Sequence, residues 1–131
     1  MMDDAINILL VEDTPDLATM ILETLMLFGG ISAHWAKSGE EALEYLDNNH
    51  PDAILLDIGL PGMSGWELLE NIKARTGGYT VPIIVTTAYG DKFNRIVGKL
   101  QYVARYLTKP YTTRELMDAL DESLELYKLG A

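Results

Sequence analysis

Five short apolar runs recur along the chain, and each has the length of a β-strand. They are INILLV (residues 6–11), ISAHWA (31–36), DAILLD (52–57), VPIIVTT (81–87) and ARYLTK (104–109). Three of them are nearly continuous in Ile, Leu and Val, which is typical of central parallel strands that are covered on both faces. The run at 31–36 mixes apolar and polar residues, so we predict a less buried position for it.

Segments of helical length separate these runs. The first of these segments repeats mostly apolar residues at helical spacing: Leu17, Met20, Ile21, Thr24, Leu25 and Phe28. A hydroxyl residue three positions before a glutamate predicts three helix starts, at Ser38 with Glu41, Ser64 with Glu67 and Thr112 with Glu115. Thr14-Pro15 predicts a fourth start. The glycine pairs at 29–30 and 77–78 predict helix ends.

This alternation of strands and helices predicts the fold class. Short connections between alternating β and α elements imply right-handed crossovers and a parallel sheet with helices on both faces. Five strands are too few for an eight-stranded barrel, so we predict an α/β fold with an open, doubly wound sheet. No linker divides the chain, and we expect one domain over residues 1–131 with a core from about residue 5 to 128.

Composition narrows the function classes. The 131 residues carry 20 acidic against 10 basic side chains, a net charge of −10, which disfavours binding to nucleic acid phosphates. The chain has no Cys, which excludes disulfides and Cys-ligated zinc. Its opening MMDDAINILLVED carries acids where a signal peptide needs bases, and the apolar run is too short to span a bilayer. We therefore expect a soluble, cytoplasmic protein.

Polar residues cluster where the predicted strands end. Ligands of an open α/β sheet bind at the carboxyl ends of its strands. The residues that end the first, third, fourth and fifth strands should therefore meet; they are Glu12 and Asp13, then Asp57, then Thr86, Thr87 and Ala88, then Lys109 and Pro110. Carboxylates about 5 Å apart repel by roughly 3 kcal/mol per pair at an effective dielectric near 20. This repulsion predicts a divalent cation, and Mg²⁺ fits a few carboxylates together with a phosphate.

The same residues suggest phosphoryl chemistry. Lys109 and Thr87 would offer a charge and a donor to a phosphoryl group, and Asp57 would be the nucleophile that forms an aspartyl phosphate. Three of the sites also have an ordinary explanation: Asp57 as a helix cap, Glu12 and Asp13 as charges at a helix start, and Thr87 as a plain strand residue.

In combination, these motifs resemble the receiver domains of two-component response regulators, with the single-domain chemotaxis regulator close in layout. The resemblance runs from about Ala5 to Tyr127. It rests on the acidic pair Glu12-Asp13, on Asp57 followed by Leu60-Pro61-Gly62-Met63-Ser64-Gly65, on Thr87-Ala88, and on Tyr106 with Lys109-Pro110. The chain departs from the family at two places: it has Tyr102-Val103 just before the fifth strand, where the family often carries Gly-Ala, and Tyr111 after Lys-Pro, where Phe is commoner. The Met start and the lack of an output domain favour a stand-alone regulator or a one-to-one phosphorelay member.

The resemblance implies a flavodoxin-like strand order 2-1-3-4-5 and a set of residue roles. Asp13 and Asp57 would ligate Mg²⁺ with the backbone carbonyl of Gly59, while Glu12 would hold a metal water. A histidine kinase or phosphotransfer protein would phosphorylate Asp57. The Lys109-Pro110 peptide would be cis, and switching would pass from Thr87 to Tyr106.

Two rival functions remain open. One is an interaction module that acts without phosphorylation. The other is an aspartate-nucleophile phosphatase of the haloacid dehalogenase type. Enzymes of that type resemble one another in carrying a second acid two residues after the nucleophile. Here that position is Gly59, so an acid for the leaving group is missing. We expect no enzyme with a separate substrate, only self-phosphorylation and its reversal.

The resemblance also implies an output face around the fourth helix, fifth strand and fifth helix. Lys92, Arg95 and Lys99 form a basic stripe on the predicted fourth helix, and Glu115, Asp118, Glu122 and Glu125 form an acidic one on the fifth. These stripes would dock a downstream protein or pair in a weak homodimer, although two solvated faces explain them equally well.

Overall fold

Five parallel strands form one sheet in the order β2-β1-β3-β4-β5. The computed structural model describes residues 5–57, 59, 65–76, 81–87 and 103–130. The strands are β1 (Ile6–Val11), β2 (Ile31–Ala36), β3 (Ala53–Asp57), β4 (Ile83–Thr87) and β5 (Val103–Thr108). The predicted doubly wound sheet and its strand order are confirmed.

Two strands begin later than their apolar runs, for reasons that involve the preceding residue. Asp52 precedes β3 and forms hydrogen bonds to Asn7 through both its side chain and its backbone. Its carboxylate Oδ2 accepts from the Asn7 N–H at 2.7 Å, while its own N–H donates to the Asn7 carbonyl at 2.7 Å. Pro82 precedes β4 and has no N–H for the ladder, although its carbonyl accepts from Ile54 at 3.0 Å.

The described helices are α1 (Pro15–Leu27), α2 (Gly39–Asn48), α3 (Gly65–Thr76) and a C-terminal helix (Thr113–Gly130). The start at Thr112 is a reciprocal capping box: Thr112 Oγ1 accepts from the Glu115 N–H at 3.0 Å, and Glu115 Oε1 accepts from the Thr112 N–H at 2.9 Å. Ser38 caps α2 by accepting from the Glu41 N–H at 3.1 Å. Pro15 opens α1 as predicted, without a side-chain cap from Thr14.

Glycines end α1 in the predicted way. Gly29 and Gly30 have φ angles of 70° and 71°, a left-handed conformation that residues with a side chain rarely adopt. The Gly30 carbonyl then accepts from the Ile6 N–H at 2.7 Å. This bond places the start of β2 beside the start of β1. The cap predicted at Ser64 and the stop at 77–78 lie outside the described residues.

Two described helices cover each face of the sheet. Successive strand residues point to opposite faces, so neighbouring residues of one strand pack against different helices. Leu9 and Val11 of β1 pack in a cluster with α2 and α3, whereas Ile8 and Leu10 pack in another with α1 and the C-terminal helix. β2 lies at the edge of the sheet, and only its last residue, Ala36, is buried. The less buried position predicted for this strand is confirmed.

Among the described helices, none combines the length and the apolarity that crossing a bilayer requires. The predicted basic stripe of Lys92, Arg95 and Lys99 falls outside the described residues, as does the loop at 60–64.

Candidate functional site

The carboxyl ends of the strands bring the predicted acids together. Glu12 and Asp13 follow β1, and Asp57 is the last residue of β3. One oxygen from each of the three carboxylates lies within 4.8 Å of the others. Glu12 and Asp57 are buried, with 1% and 8% exposure, while Asp13 is exposed. The gathering predicted from the strand ends is therefore confirmed.

The strand register explains this convergence. β1 pairs with β3 so that Val11 is opposite Leu56, which places the next residues, Glu12 and Asp57, side by side. On the other side of β3, Asp57 is opposite Thr86 of β4.

The fourth and fifth strands complete the site. Thr87 is buried at the end of β4, opposite Thr108 of β5. The Lys109 N–H donates to the Thr87 carbonyl at 2.6 Å, so the backbone that carries the lysine is tied to β4. The Lys109-Pro110 peptide is cis, as the family resemblance implied.

Lys109 bridges the two buried acids. Its Nζ lies 3.1 Å from Asp57 Oδ2 and 3.3 Å from Glu12 Oε1. The lysine side chain is 21% exposed, so these bonds are partly shielded from water and are stronger than surface ion pairs. The cluster nevertheless has one ammonium for three carboxylates, so two negative charges are uncompensated when all three are ionised.

Backbone N–H groups hold the remaining oxygens of the buried acids. Glu12 Oε2 accepts from the Thr14 N–H at 3.3 Å, and Asp57 Oδ1 accepts from the Gly59 N–H at 3.0 Å. Within the described residues, the Asp13 carboxylate takes part in no hydrogen bond or ion pair. It is therefore the acid that can most freely take a further ligand.

Burial raises the pKa of Glu12 above its ordinary value of 4.5, and the neighbouring charge of Asp57 raises it further. The charge of Lys109 and the hydrogen bond from Thr14 act in the opposite direction without cancelling the rise. A raised pKa means that ionising Glu12 costs the folded protein free energy, and a bound cation would offset that cost. Three carboxylate oxygens with two uncompensated charges fit a hard divalent cation such as Mg²⁺.

This cost predicts that Glu12→Gln stabilises the metal-free protein. A raised pKa in the folded state means that the folded state holds the proton more tightly, so the contribution of Glu12 falls as pH rises above 4.5. The variant should match the wild type near pH 4 and should gain in free energy of unfolding relative to it as pH rises toward neutrality. Urea unfolding in EDTA at several pH values measures the difference. A gain that shrinks with rising pH would contradict the assignment.

Two tyrosines lie on opposite sides of the sheet near the site. Tyr106 of β5 packs against the cluster beneath α2 and α3, while Lys109 and Tyr111 line a cavity between α1 and the C-terminal helix. The opposite placement of Tyr106 and Lys109, predicted from their odd spacing, is confirmed. Burial raises the pKa of both tyrosines to about 12, and the charges of Glu12 and Asp57 add to the rise at Tyr111.

One contact at the site was not predicted. The indole Nε1–H of Trp35 donates to the backbone carbonyl of Glu12 at 2.7 Å. The available signal was its position near the carboxyl end of the run at 31–36, because the carboxyl ends of parallel strands meet at one edge of the sheet. The register that places Trp35 opposite Leu10, two residues before Glu12, came from the structure.

Comparison with known proteins agrees with this geometry. A family model for the response regulator receiver domain matches residues 8–121. The chain is 37% identical over 116 residues to the response regulator RppA of Synechocystis, covering 87% of this chain and 48% of that protein. It is also 37% identical over 111 residues to the sensory transduction protein RegX3 of Mycobacterium tuberculosis, covering 85% of this chain and 47% of that protein. The chain thus spans about half the length of these curated relatives.

Solved structures share the fold over nearly the whole chain. A CheY-like receiver domain protein from Methanospirillum hungatei superposes with a TM-score of 0.85 at 28% identity, covering 95% of this chain and 98% of the other. The receiver domain of a Pseudomonas aeruginosa sensor histidine kinase, solved with a magnesium ion coordinated in its active site cleft, gives a TM-score of 0.81 at 32% identity, covering 91% and 97%. This chain belongs to the response regulator receiver domain family.

Proposed function

We propose that this receiver domain is a phosphorylation-activated switch in which Asp57 accepts a phosphoryl group from a histidine kinase or a phosphotransfer protein. One observation carries the proposal: a buried aspartate at a strand end lies within 4.8 Å of two further acids and 3.1 Å from a lysine ammonium. A purely structural role explains neither the crowding of three carboxylates nor the burial of two of them.

Mg²⁺ is the proposed cofactor. Asp13 and Asp57 would hold the ion with the backbone carbonyl of Gly59, and Glu12 would hold it through a water. When bound, Mg²⁺ supplies positive charge that offsets the acids and the oxygens of the transferring group. The related Pseudomonas receiver domain that contains magnesium in its cleft supports this choice of ion.

The chemical step uses the Asp57 carboxylate as the nucleophile. A carboxylate oxygen forms a bond to phosphorus while the donor's P–N bond, or the P–O bond of a small acyl phosphate donor, breaks. The donor's imidazole or carboxylate leaves, and Asp57 becomes an acyl phosphate. Lys109, which lies 3.1 Å from Asp57 Oδ2, would follow the negative charge onto the phosphoryl oxygens, and Thr87 would donate its hydroxyl to one of them.

The reverse step restores the carboxylate. Water attacks phosphorus, the bond between phosphorus and the Asp57 oxygen breaks, and inorganic phosphate leaves. Position 59 is a glycine whose N–H is bonded to Asp57, so this position offers no side-chain acid for a foreign leaving group. We therefore propose that the domain turns over no separate substrate.

The output face would lie around the predicted fourth helix, β5 and the C-terminal helix, with Thr87 and Tyr106 as the switch residues. In the described part of this face, Arg105 of β5 pairs with Glu122 of the C-terminal helix at 2.7 Å. We propose a downstream protein as the partner there and a weak homodimer as a second mode of association. The cytoplasmic location stays a prediction.

Incubation with acetyl phosphate and Mg²⁺, followed by intact-protein mass spectrometry, tests the function. The wild type should gain one phosphate, and the gain should disappear in EDTA and in Asp57→Asn. Asp16→Asn is the matched control, because Asp16 is an exposed acid in the first turn of α1. Phosphate that is found on the Asp57→Asn variant would show another acceptor, and an unlabelled wild type would favour an interaction module.

A further inference from the structure

Residues at the end of the edge strand β2 form hydrogen bonds with both backbone groups of Glu12, the N–H and the carbonyl. The Glu12 N–H donates to the Ala36 carbonyl at 3.1 Å, which extends the pairing of β1 with β2 by one residue. The Glu12 carbonyl accepts from the Trp35 indole Nε1–H at 2.7 Å. Both backbone groups of this acid are therefore occupied by two adjacent residues of one strand.

The second of these bonds acts on the peptide group that joins Glu12 to Asp13. A peptide group is planar and contains the carbonyl of one residue with the N and Cα of the next. A donor that fixes the Glu12 carbonyl consequently fixes the plane from which the Asp13 side chain projects.

Asp13 depends on this backbone hold more than the other two acids do. The carboxylates of Glu12 and Asp57 are each held by Lys109 and by a backbone N–H. Asp13 is exposed, and in the described part of the chain its carboxylate has no such partners. Its position relative to Glu12 and Asp57 is set by the backbone.

The indole itself is well placed to act as a rigid donor. The ring is half-buried against the cluster beneath α1 and the C-terminal helix. The indole nitrogen can donate a hydrogen bond but cannot accept one, so its bond to a carbonyl can run in only one direction. Lys37 Nζ lies 5.4 Å from the ring centroid, which further restricts the ring.

We propose that Trp35 is a positioning residue for the acidic site: its indole N–H fixes the Glu12–Asp13 peptide group and thereby holds Asp13 where Mg²⁺ binding requires it. The inference rests on the proposed function, because it names a residue that supports the same metal site. Mg²⁺ demands near-ideal octahedral geometry, so a displaced ligand costs affinity. Partners that orient metal ligands typically change affinity by about 10- to 100-fold when they are lost.

The sharpest test replaces Trp35 with 3-benzothienylalanine, which keeps the shape of the ring and substitutes sulfur for the N–H. We expect Mg²⁺ affinity, measured by calorimetric titration, to fall about tenfold. The melting temperature in EDTA should change little, because the packing is retained. Trp35→Phe is the genetic counterpart, and phosphorylation of Asp57 in that variant should recover at saturating Mg²⁺.

His34→Ala is the matched control on the same strand. The His34 ring stacks on Tyr45 of α2 with centroids 4.3 Å apart, so its loss perturbs β2 and leaves the indole N–H in place. This variant should keep the wild-type Mg²⁺ affinity.

A metal-free measurement gives an independent readout. The Asp13 amide belongs to the peptide group in question, so its NMR order parameter in EDTA should fall in the benzothienylalanine protein and stay unchanged in His34→Ala. Unchanged Mg²⁺ affinity in the benzothienylalanine protein would overturn the positioning role, as would equal losses of affinity in the two proteins. A wild type that binds no Mg²⁺ would instead overturn the proposed function and this inference with it.

Discussion

Lys109→Met should destabilise the metal-free protein by about 3 kcal/mol, because it leaves Glu12 and Asp57 buried side by side without a cation. The methionine keeps most of the side-chain volume, so the loss reflects charge rather than packing. Phosphorylation of Asp57 by acetyl phosphate should slow by roughly 100-fold, since the charge that follows the transferring oxygens is gone. Urea unfolding and the rate of mass gain measure the two effects.

A double-mutant cycle separates this explanation from a general loss of structure. In a Glu12→Gln background, the lysine faces one buried acid fewer, and Lys109→Met should cost clearly less than in the wild type. In the single variant Lys109→Met, added Mg²⁺ should restore part of the lost stability. Equal costs in both backgrounds would show that the lysine does not act through these carboxylates.

Mg²⁺ should stabilise the wild type by about 2.7 kcal/mol at a hundredfold excess over its dissociation constant, because the ion binds only the folded arrangement of acids. Asp13→Asn should remove most of this gain and leave the stability in EDTA nearly unchanged. Asp13 is exposed, and its carboxylate has no hydrogen bond or ion pair with the described residues. Its charge therefore contributes to the metal site rather than to the fold. Thermal unfolding over a Mg²⁺ titration measures the gain.

Asp16→Asn removes the same charge three residues along the chain and should retain the full response to Mg²⁺. A wild-type melting temperature that does not respond to millimolar Mg²⁺ would rule out the metal site. A loss of response in both variants would show that net charge, rather than the position of Asp13, governs binding.

Much of the fold follows from local features of the sequence. The apolar runs predicted all five strands, and the hydroxyl-to-glutamate spacing at Thr112 predicted a capping box that the structure shows in both directions. Boundaries were less predictable where a tertiary partner decided them. Asp52 reads as part of a strand, yet its carboxylate bonds to Asn7, which lies far away in sequence.

The apolar runs show which residues end the strands, and they therefore predict that Glu12, Asp13, Asp57 and Lys109 meet at one edge of the sheet. The differences in burial and bonding among these residues depend on long-range contacts. Glu12 and Asp13 are adjacent and chemically alike, but the first is buried against Lys109 and the second is exposed. Likewise, Trp35 bonds to Glu12 because β2 pairs with β1 in a register that no local pattern encodes. Burial and register arise from contacts between distant segments, so they set the electrostatics of the site only once the chain has folded.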